Sequence, residues 1–464
     1  MNQNNISAAE LFLRVRELLI LPELEPKTRN KMMHDTLILC CHEGVKETKQ
    51  AFGNLFSQVD YLCKAHGIKV ADKIAIQTMR RHSNSQEPLS SEDLKYDARA
   101  LAIFISAVFG VDVPHELNVL IPHTNRPYQK GLEINNRRIR CIVKNWDSDF
   151  IRVDIDQDAD EEEYLVQLKD EENHIDHTYL WDILKEGMQL NLLDCQVKQP
   201  VITPRLIVVE PDYLVDISSI ATCFTAFGHH PLLYLLNQMK PRANTQATLL
   251  GNFAGAALDD IINTNGKYQM NETIKTNFRE KALEFCTCPW FDAKKFYTDA
   301  NQQAFNLQQV VDILFPRTAS QAQMSAFRGE SLYDRKKAIL EPSFVCEALG
   351  IQGRVDLMTT DCKLLVEQKS GRNMNIETHQ VDPGYHSYQL EPHYVQLLLY
   401  YGVLQHNFKL SNDRVNIRLL YSKYQPQDGL MVVAYYQKLF KEAIEYRNQL
   451  VAASFEIAKE GFEH

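Results

Sequence analysis

Hydrophobic residues in the first 125 positions recur every three or four residues, which is the period of amphipathic helices. The pattern predicts a helix over Ala8 to Ile20 that ends before Pro26. It predicts further helices over Thr36 to Ala65 and over Lys95 to Phe109. Because this region contains no arrangement of catalytic residues, we expect residues 1–125 to form a helical domain for docking or scaffolding.

The period shortens between residues 126 and 210, where five short runs of branched residues are separated by turn-forming residues. The runs cover residues 138–143, 150–155, 163–168, 189–193 and 201–209. A short helix over Thr178 to Leu184 is predicted between the third and fourth runs. Five strands with one short helix predict an OB-like β-barrel. Arg140, Lys144 and Arg152 would let such a barrel hold single-stranded DNA, and the alternative is a packing spacer.

Helical and strand patterns mix over residues 211–464, which predicts a third domain of the α/β class with a mixed sheet flanked by helices. The predicted helices cover residues 212–262, 271–314, 393–405 and 439–458. The predicted strands cover residues 338–344, 352–358, 363–368, 416–424 and 431–436. A long polar link over Ser370 to Pro392 separates the third strand from the helix that follows it.

Three carboxylates and one lysine fall on the strands between residues 338 and 369. Glu367 and Lys369 share one face of their strand because side chains alternate. Asp356 on the preceding strand can face Glu367 across the hairpin, and Glu341 can approach from the strand before that. Crowded carboxylates cannot all stay ionised without a cation, and oxygen ligands suit Mg²⁺. We therefore expect a divalent metal site at which Lys369 orients a water molecule or offsets developing charge.

The same residues also have ordinary interpretations. A Glu-x-Lys triplet on a strand is commonly a solvated ion pair, and Asp356 alone could be a carboxylate at the end of a strand. Gln396 and Tyr400 lie one helical turn apart, and such a pair is commonly part of a helix surface. The joint arrangement favours a metal-dependent nuclease site, with a folded but inactive relic as the alternative.

The order of these motifs resembles the PD-(D/E)XK nuclease superfamily. The motif residues are Gly353-Arg-Val-Asp356, Glu367-Gln-Lys369 and Gln396-x-x-x-Tyr400. They resemble the RecB-like clan, and the segments from Pro211-Asp-Tyr-Leu214 to Arg447-Asn448 are similar in order to the nuclease half of the superfamily I replication and repair helicase–nuclease. The resemblance covers about residues 130–464.

This resemblance implies a restriction-endonuclease-like core that hydrolyses DNA with Mg²⁺ or Mn²⁺, preferably single-stranded or flap DNA, in replication, repair or recombination. Asp356, Glu367 and Lys369 would be catalytic, and Asp356 and Glu367 would bind the metal with Glu341 as an auxiliary ligand. The substrate-binding positions would be Arg354, Arg372, Gln396 and Tyr400. The two arginines would hold phosphates, and the other two would contact the substrate backbone or steady the lysine.

The chain departs from the family pattern at two places. Related nucleases carry a metal-binding histidine on the helix near Gly251, and that position is Gly255 here. Asp259 or Asp260, one turn further on, would substitute for it or would belong to a solvated helix face. Many relatives bind an iron–sulfur cluster through one cysteine before the core and three after it. Cys223 matches the first, but the later three are absent, so no cluster is expected from this chain alone.

No Gly-x-x-x-x-Gly-Lys-Ser/Thr phosphate loop occurs, so a helicase partner would act in trans or would have been lost by truncation. The formal net charge is −10 at pH 7. Residues 201–464 carry 26 basic against 28 acidic residues, whereas residues 1–200 carry 24 against 32. Because no basic stripe is visible, local patches would have to bind DNA.

Two rival functions remain open at this point. One is a catalytically weak DNA-binding subunit that works with a separate helicase, which the missing histidine favours. The other is a nuclease of the CRISPR-adaptation type, which the absent cluster cysteines and the long first half disfavour. No run of about 18 apolar residues would span a membrane, and the first residues do not resemble a signal peptide. Ten cysteines without regular spacing indicate free thiols and a cytoplasmic location.

Overall fold

The computed structural model describes residues 6–21, 25–126, 135–156, 163–241, 244–264, 267–410 and 415–461. The fold is of the mixed α/β class with several sheets, as the sequence predicts. The chain divides into two compact units, one of residues 1–213 with 451–464 and one of residues 214–450. The finer division at positions 125 and 210 stays a prediction. None of the helices in the described ranges combines the length and apolar character needed to cross a membrane.

Helices make up the first part of the first unit. They are α1 (Ala8–Ile20), α2 (Pro26–Val45), α3 (Leu55–Ala65), α4 (Val70–Ser83), α5 (Ser91–Phe109) and α6 (His115–Asn118). Helix α1 begins at a capping box in which Ser7 and Glu10 each accept a backbone N–H of the other. The prediction of a single helix over Thr36 to Ala65 is wrong, because α2 ends at Val45 and α3 begins at Leu55. Helix α2 begins at Pro26. The first N–H groups of a helix have no partner within the helix, so the missing N–H of proline costs no hydrogen bond there.

Strands make up the rest of this unit. They are β1 (Arg138–Trp146), β2 (Phe150–Ile155), β3 (Tyr164–Gln167), β4 (Lys169–Asp170), β5 (Ile175–Asp176), β6 (Gln189–Leu193), β7 (Gln196–Lys198), β8 (Val201–Thr203) and β9 (Leu206–Val209). Seven of them form one sheet in the order β7-β8-β3-β2-β1-β6-β9. A 3-10 helix over Thr178–Asp182 lies where a short helix is predicted. The strand predicted over 201–209 is divided by Pro204 into β8 and β9.

The second unit holds the remaining elements. Its strands are β10 (Val215–Asp216), β11 (Phe224–Thr225), β12 (Gly228–His229), β13 (Ala338–Leu340), β14 (Ser343–Cys346), β15 (Ile351–Arg354), β16 (Leu357–Thr359), β17 (Leu364–Lys369), β18 (Asn416–Tyr421) and β19 (Leu430–Val432). Its helices are α7 (Ile217–Ala221), α8 (Leu232–Met239), α9 (Gln246–Asn263), α10 (Met270–Glu280), α11 (Ala282–Thr287), α12 (Ala293–Leu314), α13 (Ala319–Phe327), α14 (Met374–Thr378), α15 (Glu391–Phe408), α16 (Pro426–Gly429) and the first part of α17 (Gln437–Glu460), whose residues from position 451 onward belong to the first unit.

A five-stranded sheet in the order β13-β16-β17-β18-β19 lies at the centre of this unit. Strands β17 and β18 are parallel and are connected through α14 and α15, whereas the other pairs are antiparallel. Leu364 and Val366 of β17 join a buried cluster with Leu258 of α9 and Leu307 of α12. Because side chains alternate along β17, Leu365, Glu367 and Lys369 point to the opposite face of the sheet. On that face, Lys369 contacts Gln396 of α15.

Two predicted strands are interrupted close to the predicted site. The run over 338–344 breaks at Glu341, whose φ is 47°, and at Pro342, so it contributes β13 to the five-stranded sheet and β14 to a sheet with β10 and β15. The run over 352–358 divides in the same way into β15 and β16. The helix predicted over 212–262 is also wrong, because α7, the β11–β12 hairpin and α8 precede α9.

Candidate functional site

The backbones of Glu341, Asp356 and Glu367 lie next to one another across three strands. The neighbouring paired residues of these strands are Leu340, Leu357 and Val366. One position further along, the N–H of Glu341 donates to the carbonyl oxygen of Asp356 at 3.0 Å. The N–H of Gln368 donates to Oδ2 of Asp356 at 2.6 Å. The antiparallel register therefore brings the three predicted metal ligands to the same end of the sheet.

Lys369 and Glu367 lie on one face of β17 and are hydrogen-bonded to each other. The ammonium Nζ of Lys369 donates to Oε1 of Glu367 at 2.7 Å and to Oε1 of Gln396 at 2.9 Å. Glu367 is only 3 % exposed, and its Oε2 is buried without a hydrogen-bond partner. A buried polar atom in a native fold is normally satisfied. The second oxygen of Glu367 is therefore chemically suited to bind a cation.

The carboxyl groups of Asp356 and Glu367 have raised pKa values. Burial, followed by the charge of Asp356, raises the pKa of Glu367 to about 8, although Lys369 opposes the shift. Burial also raises the pKa of Asp356, with a contribution from Glu341. A divalent cation would reverse this balance, because its charge favours the ionised carboxylates.

Arg354 and Arg372 are exposed, and each is paired with a carboxylate. Nη1 of Arg354 lies 3.0 Å from Oε2 of Glu341, and the side chains are 60 % and 43 % exposed. The guanidinium of Arg372 is bonded to Glu377. Exposed pairs of this kind are weak, so both arginines can exchange a carboxylate for another anion at little cost.

Gln396 and Tyr400 face the strands from α15, so their interpretation as ordinary helix-surface residues is wrong. Gln396 holds Lys369, as described above. The hydroxyl of Tyr400 donates to the carbonyl oxygen of Arg354 at 2.6 Å, and Tyr400 is only 3 % exposed. A Cβ at Gly353 would lie 2.9 Å from Cε1 of Tyr400, so only glycine permits this close approach.

A buried polar network below the site has no counterpart in the sequence prediction. Gln368 Nε2 donates to Oγ of Ser422 at 2.7 Å, Ser422 Oγ donates to Oε1 of Gln303 at 2.6 Å, and Gln303 Nε2 donates to the carbonyl oxygen of Ser370 at 3.1 Å. Asn306 Nδ2 donates to the carbonyl oxygen of Ser422 at 3.0 Å. The signal in the sequence is two amides, three residues apart, among the apolar positions of α12.

Asp259 is half-buried, so it does not lie on a fully solvated helix face. Burial, followed by the charges of Glu341 and Asp356, raises the pKa of Asp259 to about 7. The neighbouring Asp260 is exposed and accepts a hydrogen bond from Thr273 at 2.5 Å. The two adjacent aspartates, which the sequence does not distinguish, therefore lie in different environments.

No group of three or more His, Cys, Asp or Glu side chains in the described part of the chain already surrounds a single point as metal ligands would. Within the site, Lys369 occupies one oxygen of Glu367, and Arg354 occupies one of Glu341. The donor set nevertheless fits a hard divalent cation, because its members are carboxylates and one of them, Glu367, has a buried oxygen without a partner.

The basic residues predicted to hold single-stranded DNA on the first unit's sheet are paired with acids. Arg140 donates to both oxygens of Asp212 at 2.8 and 2.9 Å. Lys144 lies 2.7 Å from Asp154, and Arg152 lies 3.1 Å from a third aspartate. DNA bound here would have to displace these carboxylates.

Cys223 is buried in the second unit. Its Sγ lies 3.9 Å from the carbonyl oxygen of Ser219 and 3.7 Å from that of Pro231. Burial raises the pKa of this thiol to about 12, so it is protonated at neutral pH.

No protein-family model matches the chain, and no curated protein is significantly similar to it. The order of motifs and the geometry of the site are therefore the grounds for a functional proposal.

Proposed function

We propose that this chain is a Mg²⁺- or Mn²⁺-dependent deoxyribonuclease that hydrolyses phosphodiester bonds. Its substrate would be single-stranded or flap DNA in replication, repair or recombination. The second unit would be a PD-(D/E)XK core, and the seven-stranded sheet an OB-like barrel. The observation that carries the proposal is the row of Glu341, Asp356 and Glu367 across three paired strands, with Nζ of Lys369 at 2.7 Å from Glu367.

Each of these residues would have a distinct role. A divalent cation held by Asp356 and Glu367, with Glu341 as auxiliary ligand, would polarise the phosphate and acidify a water molecule. The ammonium of Lys369 would orient the attacking water and stabilise negative charge developing on the phosphate. Gln396 accepts one N–H bond of that ammonium and so limits its position.

Arg354 and Arg372 would bind substrate phosphates. Their side chains are 60 % and 62 % exposed. A guanidinium can form two parallel hydrogen bonds to a phosphate, which would compensate for the loss of its present carboxylate partner. Where the substrate is duplex DNA, a separate helicase would unwind it and so provide the single strand.

A cleavage assay on labelled single-stranded DNA with Mg²⁺ or Mn²⁺ tests the proposal. The wild-type chain should cut the strand, and a chelator should stop the reaction. Asp356→Ala should lower the rate by about 100-fold or more and leave the far-ultraviolet circular dichroism unchanged. Asp361→Ala is the matched control, because Asp361 lies in the β16–β17 turn and pairs with Lys337 at 3.1 Å. Cleavage by Asp356→Ala at the wild-type rate would exclude this site.

The second candidate is a catalytically weak DNA-binding subunit that acts with a separate helicase. Gly255 favours it, because the related nucleases carry a histidine metal ligand at this position. Wild-type protein that binds the single strand but does not cut it with either cation would support this second function.

A further inference from the structure

The indole of Trp290 lies in solvent just before helix α12. Trp290 is 98 % exposed, whereas tryptophan in a folded protein is usually well buried. Its φ of 57° lies in the left-handed region, which a bulky residue seldom adopts. Such a conformation persists only where the surrounding structure enforces it. The fold therefore holds this ring in an exposed position.

The residues that follow Trp290 are fixed by contacts with the rest of the second unit. The ring of Phe291 packs against that of Phe296, with the centroids 5.5 Å apart. The N–H of Asp292 donates to Oε1 of Gln246, the first residue of α9, at 2.8 Å. Because Phe291 packs against the core and Asp292 is bonded to α9, the chain has little freedom to bury the preceding indole.

Two lysines and a tyrosine follow Trp290 on the first turns of α12. Lys294 and Lys295 are exposed, and neither ammonium forms an ion pair with any residue in the described ranges. The carboxylate of Asp292 is the N-cap of the helix and accepts the N–H of Lys295 at 3.0 Å. Tyr297 is 49 % exposed and shares a face with Lys294, because residues three apart on a helix are neighbours. Exposed aromatic and cationic side chains therefore follow one another along this surface.

This combination of side chains suits a single-stranded nucleic acid. Bases stack on exposed aromatic rings, and cations beside the rings attract the phosphate backbone. Phe227, in the turn of the β11–β12 hairpin, is as exposed as Trp290 but has acidic surroundings. The ring nitrogens of His229 in this hairpin lie 2.6 and 2.7 Å from carboxylate oxygens of Glu391 and Glu442. Carboxylates beside Phe227 would repel a polyanion, whereas the lysines of α12 would attract one.

Helix α12 also contacts the end of the catalytic strand. At 1.5 Å per residue, Gln303 lies about 15 Å along α12 from the first residue of the helix. Its Nε2 donates to the carbonyl oxygen of Ser370, which follows Lys369. Because α12 packs on the face of β17 opposite to Glu367, a strand bound at Trp290 would pass the end of β17 to reach the carboxylates.

We propose that Trp290 is a stacking platform for a base of single-stranded DNA, and that Tyr297 stacks on a neighbouring base. Lys294 and Lys295 would favour the approach of the strand. This inference rests on the proposed function and adds to it a substrate contact away from the row of carboxylates. The platform should have little sequence preference, because every base has a face on which an aromatic ring can stack.

Binding of a fluorescein-labelled oligothymidylate of about 16 nucleotides, measured by fluorescence anisotropy in EDTA, tests the platform without any cleavage. Trp290→Gly should weaken binding by about fivefold or more, whereas Trp290→Tyr, which keeps an aromatic ring, should bind within about twofold of the wild type. Phe227→Ala is the matched control. It should bind like the wild type, because the exposed ring that it removes lies beside carboxylates.

Urea unfolding separates a role in binding from a role in folding. Glycine adopts a left-handed φ without steric cost, and an exposed indole contributes little buried surface. Trp290→Gly should therefore unfold at the same urea concentration as the wild type or at a higher one. A lower midpoint would show that the indole supports the fold, and it would overturn the inference.

The binding results also separate this inference from the proposed function. The platform is excluded if the wild type does not bind the oligonucleotide, if Trp290→Gly binds as tightly as the wild type, or if Trp290→Tyr binds as weakly as Trp290→Gly. An equal loss in Phe227→Ala would exclude a specific role for Trp290. If binding depends on Trp290 but the wild type cuts no DNA, the platform stands and the nuclease proposal fails. Cleavage by the wild type together with unchanged binding by Trp290→Gly would have the reverse meaning.

Discussion

The ammonium of Lys369 lies 2.9 Å from the amide oxygen of Gln396, which reaches it from helix α15. One helical turn later, Tyr400 donates to the carbonyl oxygen of Arg354 on β15. The Gln-x-x-x-Tyr spacing therefore joins one helix to two strands, because residues four apart project from the same face. In this arrangement Gln396 positions the lysine, whereas Tyr400 holds the chain just before Asp356.

The first prediction concerns this amide. Gln396→Leu removes the acceptor for Lys369, so we expect kcat for DNA cleavage to fall by about 10- to 100-fold with little change in KM. Gln405→Leu, on a later turn of α15, is the control and should retain wild-type kinetics. Steady-state rates on single-stranded DNA provide the measurement. A raised KM with unchanged kcat would show instead that Gln396 contacts the substrate.

The second prediction is a pH dependence of stability in the absence of divalent cations. Glu367 has a pKa of about 8 in the folded chain against an ordinary value of 4.5. The folded state therefore holds this proton over a range in which the unfolded state has released it. The free energy of unfolding should fall as pH rises from about 4.5 to about 8, and Glu367→Gln should reduce this slope.

Urea unfolding at several pH values between 5 and 8.5 measures the slope. Glu377→Gln is the control, because Tyr424 and Arg372 lower the pKa of that half-buried carboxyl, and its stabilising effect is lost only at acidic pH. Mg²⁺ should increase stability most at pH 8, where protons compete least for the carboxylates. Equal slopes for Glu367→Gln and the wild type would contradict the assignment.

The third prediction concerns the network below the catalytic strand. Gln303→Leu removes the nearer acceptor of the Ser422 hydroxyl and the donor to the carbonyl oxygen of Ser370, so we expect a loss of about 1–3 kcal/mol in the free energy of unfolding. Because Ser370 directly follows Lys369, cleavage should also slow and its pH profile should shift. Asn301→Leu, at an exposed position of α12, is the control.

A double-mutant cycle with Ser422→Ala separates a network from independent contacts. The two substitutions should be non-additive by about 0.5 kcal/mol or more, because they break the same chain of hydrogen bonds. If the losses in the free energy of unfolding are additive and the pH profile of cleavage is unchanged, Gln303 has only a structural role.

The sequence predicts regular elements well where one period is uninterrupted. Helix α1 and strands β2 and β6 begin and end at the predicted residues. Pro342 indicates a break in the strand pattern, but the left-handed φ of Glu341 could not be predicted, because it is set by the sheet that the chain enters next. It places Glu341 beside Asp356 by letting β13 and β14 join different sheets.

The site itself was predictable in part from spacing. Glu367 and Lys369 follow from strand alternation, and Asp356 follows from the hairpin. The difference between Asp259 and Asp260 could not be predicted, since it depends on which side of α9 faces the sheet. The partners of Gln368 come from α12 and from the residue after β18, which are far away in sequence.

The last prediction concerns the form of the substrate. The link over Ser370 to Pro392, which follows Lys369, is anchored near its start by Asn373. Asn373 is fully buried, with its N–H bonded to the hydroxyl of Tyr424 at 2.7 Å and its Nδ2 bonded to the carbonyl oxygen of Tyr388 at 2.9 Å. A fixed segment beside the site should admit a flexible single strand more readily than a rigid duplex.

Charge leads to the same expectation. The chain carries a net charge of −10, and Arg354 and Arg372 are the proposed phosphate contacts. If these two alone neutralise phosphates, log K for single-stranded DNA should fall with log salt with a slope of roughly −1.4. A time course on a single strand, a flap and a blunt duplex of one sequence should show cleavage of the first two and slow or no cleavage of the third. Equal rates on all three, or a much steeper salt slope, would instead indicate an enzyme that grips and cuts duplex DNA.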